Sequence, residues 1–215
     1  MILEFNDIKV DFFETFPREV KNIALNLSGG ADSALILFLL VEMIKERNQS
    51  DVRIYPFHGV ESEFSADICA KIIQHINEIT NTKFIEPLYL YDYPKPLTVT
   101  KTEALKLALE DFRNTNNTFY TIRGISQGMD DLERPELPGD IVGRNLIDLS
   151  LKYPHTLPWA TVNKKFIADQ YKKFNLQHLS TITNSCIASA TSPCRKCWWC
   201  KERYWAFGSY DGGIQ

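Results

Sequence analysis

The sequence predicts an α/β fold, a doubly wound parallel sheet carrying a metal-binding knuckle at its C-terminal end. Three observations predict it. Short aliphatic runs alternate with helix-period segments over most of the 215 residues. One such run ends in Ser28-Gly29-Gly30 directly before a long apolar stretch. Four of the five cysteines crowd into residues 186–200. Strand–helix alternation implies parallel strands with crossover helices, and ligands in such sheets sit beyond the carboxyl ends of the strands where their order reverses.

Residues 22–27 are aliphatic, short and stopped by glycine, which predicts the first strand of the sheet. Residues 32–47 follow as a helix, apolar on every side in its first half and therefore expected to be buried. A second strand is predicted at 52–58. Residues 65–79 have a helical period with Ile68, Ile72, Ile76 and Ile79 on one stripe. A third strand at 84–91, a helix at 100–113 and a fourth strand at 118–122 continue the alternation. Residues 124–143 contain four glycines and two prolines, the composition of a long shaped loop, and such loops are often functional. A helix is expected at 163–174 and a short strand at 180–183. The strand ends that would face a ligand are Ser28, His58, Tyr91 and Arg123.

Composition narrows the function classes. Apolar residues make up 44% and charged residues 24%, ordinary for a folded globular chain. The net charge is −3, so no long nucleic acid is expected as partner. Residues 1–10 carry acids and lack an apolar signal core, and the apolar run 34–41 is too short to span a bilayer. The expectation is a soluble, cytoplasmic protein without a membrane partner, in which cysteines stay reduced.

The most informative stretch is Leu27-Ser28-Gly29-Gly30-Ala31-Asp32-Ser33. A strand enters two glycines, which let an anion approach the backbone. The helix that follows begins with unpaired N–H groups and partial positive charge, which suit phosphate. Ser28 and Ser33 add hydroxyls, and Asp32 is a candidate for holding Mg²⁺. Alone, Ser-Gly-Gly would also serve as a tight turn before a helix. No Gly-Lys-Ser/Thr follows, so the segment is not a Walker loop.

Cys186, Cys194, Cys197 and Cys200 have the spacing C-x7-C-x2-C-x2-C. Four thiolates hold Zn²⁺ in a closed, structural tetrahedron; an iron–sulfur cluster shares the ligand type. Arg195, Lys196, Lys201 and Arg203 lie close in sequence to balance the thiolate charge. Cys69, alone within a predicted helix, reads as a core residue. The aromatic group Trp198, Trp199, Tyr204, Trp205 and Phe207 is expected to pack around the knuckle or in a subunit contact.

The six residues 28–33 resemble the SGGxDS signature of the PP-loop ATP pyrophosphatases, which split ATP between the α and β phosphates. With the C-terminal pattern Ser185-Cys186, seven residues, Cys194-Arg195-Lys196-Cys197-Trp198-Trp199-Cys200-Lys201-Glu202-Arg203, the chain resembles the 7-cyano-7-deazaguanine synthases. Pro193 matches that family, while Arg195 stands where its glycine usually is. Lys164 matches a lysine of the family's helix, and residues 124–136 are similar to its substrate loop. Val99-Thr100-Lys101-Thr102 replaces the family's V-P-x-R-N, Gly143-Arg144-Asn145 falls after the loop instead of before it, and Gly59-Val60 stands where a Gly-Gln pair is usual.

The resemblance implies a nucleotide-binding domain over residues 1–183 and a zinc-binding segment over 184–215. It implies ATP, Mg²⁺ and Zn²⁺ as cofactors, and a deazapurine-type small molecule and ammonia as substrates. It implies adenylation of a carboxylate and then of the resulting amide, leaving a nitrile, AMP and pyrophosphate. By the same resemblance Leu27, Ser28, Gly29, Gly30, Ala31, Asp32, Ser33, His58 and Gly59 would bind ATP, and Lys164, Asp32 and Lys101 would act in catalysis. Arg123, Gly124, Asp130, Asp131 and Arg134 would hold the substrate, and the family's homodimers make a dimer an expectation here. Two other functions fit the residues: a PP-loop enzyme that activates a different carbonyl for amide formation or sulfur transfer, and an ATP-binding module without turnover.

Overall fold

The computed structural model describes residues 1–14, 16–60, 65–92, 101–115, 120–123, 155–159, 161–186 and 192–212; within these, the side chains of 101–103, 106, 113–115, 120–123 and 155–156 lie outside the description. The chain opens with a hairpin, β1 (Ile2–Phe5) and β2 (Ile8–Asp11), and then enters an α/β body. Its elements are β3 (Asn22–Asn26), α1 (Ala31–Glu46), β4 (Arg53–Val60), α2 (Ser65–Thr80), β5 (Tyr89–Asp92), α3 (Lys101–Thr115), β6 (Tyr120–Arg123), β7 (His155–Thr156), α4 (Lys164–Lys173), α5 (Gln177–Ile182) and α6 (Trp198–Phe207).

The sheet has the order β5-β4-β3-β6-β7 and every pairing in it is parallel. Strands added after β3 extend first to one side and then, from β6, to the other, so the order reverses at β3. Burial follows the pleat, whose side chains alternate between faces. Ile23 and Leu25 join a core with α1, α2 and α4. Ala24 points the other way, into a smaller core with Phe57 of β4 and with Leu105, Ala108, Leu109 and Phe112 of α3. Both faces of the sheet are therefore covered, as a parallel sheet requires.

Helix α1 is apolar all round because it is wedged between β3, α2 and α4; every residue from Ala31 to Val41 is buried. Helix α2 is amphipathic. Its stripe is Ile68, Ile72, Ile76 and Thr80, while Ile79 is 46% exposed. The expected stripe slips by one residue at its end, because a strict four-residue step from Ile76 reaches Thr80. The Thr80 hydroxyl is reconciled with burial by donating to the Ile76 carbonyl at 2.6 Å. Asparagine follows three of these helices in the left-handed region, at Asn48, Asn81 and Asn175, where its short polar side chain tolerates the conformation better than most.

Two expected strands differ. The predicted strand at 84–91 is split. Ile54 donates to Phe84 and accepts from Glu86, both at 2.8 Å, so Ile85 pairs with Ile54. Regular pairing resumes only at Tyr89 opposite Phe57. Four residues on one strand thus face three on the other, a one-residue bulge around Pro87, which has no N–H for a ladder. Pro56 of β4 has the parity of Ile54 and faces the same gap, so neither proline leaves a donor missing from a regular ladder. The strand expected at 180–183 does not form: Gln177–Ile182 is helix α5. Ser180, Thr181 and Thr183 turn their hydroxyls back onto the carbonyls of Gln177, His178 and Ser180 at 2.7–2.8 Å. These local bonds override the strand preference of a β-branched run.

Among the described residues no helix is long and apolar enough to cross a membrane.

Candidate functional site: a glycine turn and a four-cysteine knuckle

The turn at 28–33 lies at the carboxyl end of β3, where the strand order reverses. Gly29 has φ +83°, a conformation that favours glycine. Gly30 is the N-cap of α1 and has no side chain to satisfy the first-turn amides. The two serines brace the turn from within. Ser33 Oγ accepts from Ser28 N at 3.2 Å and donates to Gly30 O at 3.1 Å, and the two hydroxyls are 3.1 Å apart. Ser28 is exposed and Gly30 half-buried. A methyl at Gly30 would meet only Ser28 Oγ at 3.5 Å and the Asn184 carbonyl at 3.9 Å, so no larger side chain among the described residues fills that rim.

Beneath the turn the interior is polar and paired. His58, 3% exposed, bonds through Nδ1 to the Leu27 carbonyl at 2.8 Å. The Cys69 thiol is 3.3 Å from both the Leu27 carbonyl and His58 Nδ1, and burial pushes that thiol up to about 12. Cys69 is therefore a packed neutral thiol, matching its reading as a core residue. Strand β4 runs two residues past His58, and Gly59 is buried in it opposite Tyr91. Both expected purine contacts, His58 and Gly59, thus lie inside the sheet.

Asp32 and Lys164 are brought together from 132 residues apart. Lys164 Nζ donates to both carboxylate oxygens at 2.7 Å, and both residues are buried. Helix α4 starts at Lys164 because Asn163 caps it, its Oδ1 accepting from Lys165 N at 3.0 Å and Phe166 N at 3.3 Å. A cation in the first turn opposes the helix dipole; Asp32 and, at 3.9 Å, the buried Glu202 of α6 offset that cost. The backbone of the same turn is held as well. Trp159 Nε1 donates to Asp32 O at 3.1 Å, and Tyr171 Oη to Ala31 O at 2.9 Å.

The four cysteines Cys186, Cys194, Cys197 and Cys200 have sulfurs all within 4.8 Å of one another. Cys194 and Cys200 sulfurs are 3.9 Å apart, near the edge of about 3.8 Å expected for a tetrahedron with Zn–S about 2.3 Å. The donor set and spacing fit a metal such as zinc. Arg195 takes φ +60°, which turns the chain so that the amides of Cys197 and Lys196 face the Cys194 sulfur. Those two bonds, Cys197 first, lower its thiol to about 6. Burial raises the Cys197 and Cys200 thiols.

The cations near the knuckle divide. Arg195, Lys196 and Lys201 are exposed, whereas Arg203 is 1% exposed. Arg203 does not face the sulfurs. Its Nη2 donates to Ser180 O at 2.6 Å, its Nε lies 3.4 Å from Asp211 Oδ1, and its Cζ sits 3.7 Å over the Phe207 ring. Asp211 in turn accepts from the amides of Ser185 at 2.6 Å and Cys186 at 3.2 Å. The aromatic group packs locally, Trp198 on Trp199 at 4.7 Å, Phe207 on Tyr171 at 5.4 Å and Trp205 under the Lys165 ammonium at 4.2 Å.

Lys101 opens α3 and Arg123 ends β6 opposite Asn26; neither side chain is described. Gly124, Asp130, Asp131 and Arg134 lie outside the described residues, as does Gly143-Arg144-Asn145. Sequence reasoning missed Glu202, Asp211 and Asn184. Only Glu202 carried a signal, its place inside the cysteine motif. Neither the scan of protein-family models nor the search of curated proteins returns a match for this chain.

Proposed function

We propose that the protein is an ATP-splitting enzyme of the doubly wound PP-loop type, whose turn at 28–33 receives the phosphates and whose cysteines hold zinc. The observation that carries this reading is the buried bidentate pair between Lys164 and Asp32 at the rim of an uncapped glycine turn. A plain turn before a helix has no need of a buried lysine there. A phosphate site does: backbone amides and a helix N-terminus meet the anion, and a cation held nearby stabilises charge as it shifts.

In this reading Ser28, Gly29, Gly30, Ala31 and Ser33 line the phosphates. Asp32 holds Lys164 in place and offers its carboxylate to Mg²⁺, which would neutralise phosphate charge. Zinc would be structural, because four protein sulfurs leave it no open position. The resemblance to 7-cyano-7-deazaguanine synthases supports 7-carboxy-7-deazaguanine and ammonia as substrates, with AMP, pyrophosphate and the nitrile as products.

The test is incubation of zinc-loaded protein with ATP, Mg²⁺, ammonium and 7-carboxy-7-deazaguanine, with mass spectrometry of the base and assay of pyrophosphate. A nitrile and stoichiometric AMP are expected. Pyrophosphate formed with other acids but not this one would redirect the reading to a different carbonyl substrate. Bound ATP with no AMP would leave a nucleotide-binding module.

A further inference from the structure

The knuckle and the turn are joined by two separate short paths. The first runs through the backbone. Asn184 donates its amide to the Gly29 carbonyl at 2.9 Å, and Gly29 is the residue whose positive φ shapes the turn. The side chain of Asn184 brackets Cys186, accepting from its amide and donating to its carbonyl, both at 3.2 Å. Two residues thus separate a metal ligand from the residue that fixes the turn. The second path runs through side chains. Glu202 lies two residues after Cys200 and reaches toward Lys164 at 3.9 Å, and Lys164 grips Asp32.

A third feature holds both paths in place. Asp211 accepts from Ser185 and Cys186 and faces the buried Arg203. It can sit there only because the next residue is glycine. A methyl at Gly212 would lie 2.5 Å from the Thr181 carbonyl oxygen, so any other residue pushes the tail off α5.

The geometry points to a positioning role for the four-cysteine site: metal bound by Cys186 and Cys200 sets the shape of the 28–33 turn through Asn184–Gly29 and Glu202–Lys164–Asp32, with Asp211 and Gly212 as the clamp. Asn184, Glu202 and Asp211 are positioning residues, since none is among the four sulfur ligands or in the turn. The consequence for nucleotide affinity rests on the proposed phosphate site; the mechanical link does not. Coupling of this kind is reciprocal, so a ligand in the turn also tightens the hold on zinc.

The experiment compares full-length protein loaded with Zn²⁺, the same protein stripped by a chelator, and zinc-loaded Gly212→Ala, Glu202→Gln and Asn184→Ala. Amide hydrogen exchange is read in peptides covering 27–34, with 53–60 as internal reference, and ATP–Mg²⁺ affinity is read by calorimetry. Stripping zinc should speed exchange in 27–34 at least tenfold while 53–60 is unchanged. Gly212→Ala, with zinc retained and every charge intact, should do the same to a smaller degree. Each variant should bind ATP about tenfold more weakly than zinc-loaded wild type. Acceleration confined to 184–212, with 27–34 unmoved by zinc removal and by all three variants, overturns the proposal. If stripping unfolds the entire chain, the zinc-loaded variants decide it. Failure of zinc-loaded wild type to bind ATP counts against the nucleotide reading alone, and the exchange comparison still decides whether the link exists.

Discussion

The turn and the knuckle reach fixed shapes by opposite means. Within the turn, two serine hydroxyls, a Gly30 carbonyl and a left-handed Gly29 form a bonded ring on a buried strand, and Asn184 N adds a bond from outside, to the Gly29 carbonyl. The knuckle gathers four sulfurs with two backbone amides donating to them, Cys194 N to Cys186 Sγ at 3.3 Å and Cys197 N to Cys194 Sγ at 3.4 Å, and with the Cys194 and Cys200 sulfurs 3.9 Å apart; Cys194 and Cys197 are half-exposed. Hydrogen bonds between neutral groups are enough where a core stands beneath them. At the knuckle, where Cys194 and Cys197 are half-exposed, four grouped thiols offer a donor set for an ion such as zinc. The turn's internal bonds are present in the fold itself, with the Asn184 bond to Gly29 as its tie to the knuckle, whereas the knuckle's four sulfurs are grouped so that they could hold a metal such as zinc.

The largest effect that would break this contrast is at the knuckle. Metal binding by four thiolates contributes on the order of 10 kcal/mol to the folding of a small site. Cys200→Ser should therefore reduce zinc from one equivalent per chain to well under half and unfold residues 184–212, by elemental analysis and hydrogen exchange. Full zinc content in that variant would remove Cys200 from the ligand set. A knuckle that kept its protection without metal would show that burial alone holds it.

Next in size is the pair that joins α1 to α4. Lys164→Met leaves Asp32 as a buried carboxylate without its main partner, which typically costs about 3–5 kcal/mol. A urea melt should show that loss, and the double variant with Asp32→Asn should recover part of it, because the two residues act as a unit. Additive losses would mean that the two do not interact in solution.

How much of this was legible beforehand follows from which forces are local. The β3–turn–α1 unit and the cysteine cluster are written in contiguous residues, so strand, glycines, helix and ligand spacing could be read directly. The Lys164–Asp32 pair spans 132 positions, and sequence reasoning placed both residues at the site without linking them to each other. Asp211 and Gly212 lie in a short tail whose importance exists only against α5. Helix α5 itself was misread because hydroxyl-to-carbonyl bonds, which leave no periodic trace, overrode the β-branched run. The β1–β2 hairpin and α6 were not assigned at all: four-residue strands give too few alternations to detect, and in α6 ring packing blurs the apolar stripe.

Cys69 sharpens the contrast by a thiol that belongs to the turn's side of the molecule. Its folded value near 12 against an ordinary 9 leaves about a thousandfold fewer thiolates at pH 8, and the thiolate is the reacting form. Iodoacetamide at pH 8 should modify the four knuckle cysteines after zinc removal while Cys69 stays unmodified until urea is added. The sign for stability follows from the same shift. The unfolded thiol ionises first, so the stabilising contribution of Cys69 is complete below about pH 9 and declines as pH rises toward 12. Cys69→Ala should flatten that part of the alkaline stability curve; an unchanged curve would assign the decline to other groups.

The smallest effect tests how far the turn's ring of bonds matters to the fold as opposed to the chemistry. Ser33 Oγ serves three neighbours: Ser28 N, Ser28 Oγ and Gly30 O. Net bonds between neutral groups contribute about 1 kcal/mol each, and the Ser28 side is exposed, so water replaces much of what is lost. Ser33→Ala should lower stability by only about 1–2 kcal/mol in the same melt that reports several for Lys164→Met. Pyrophosphate release should nevertheless fall at least tenfold, since the hydroxyl both shapes the turn and faces the phosphates in the proposed reaction. Retained turnover with the small stability loss would show that the backbone amides alone hold the anion. A stability loss as large as that of Lys164→Met would show that the turn is far less self-sufficient than its hydrogen bonds imply, and the contrast with the knuckle would narrow accordingly.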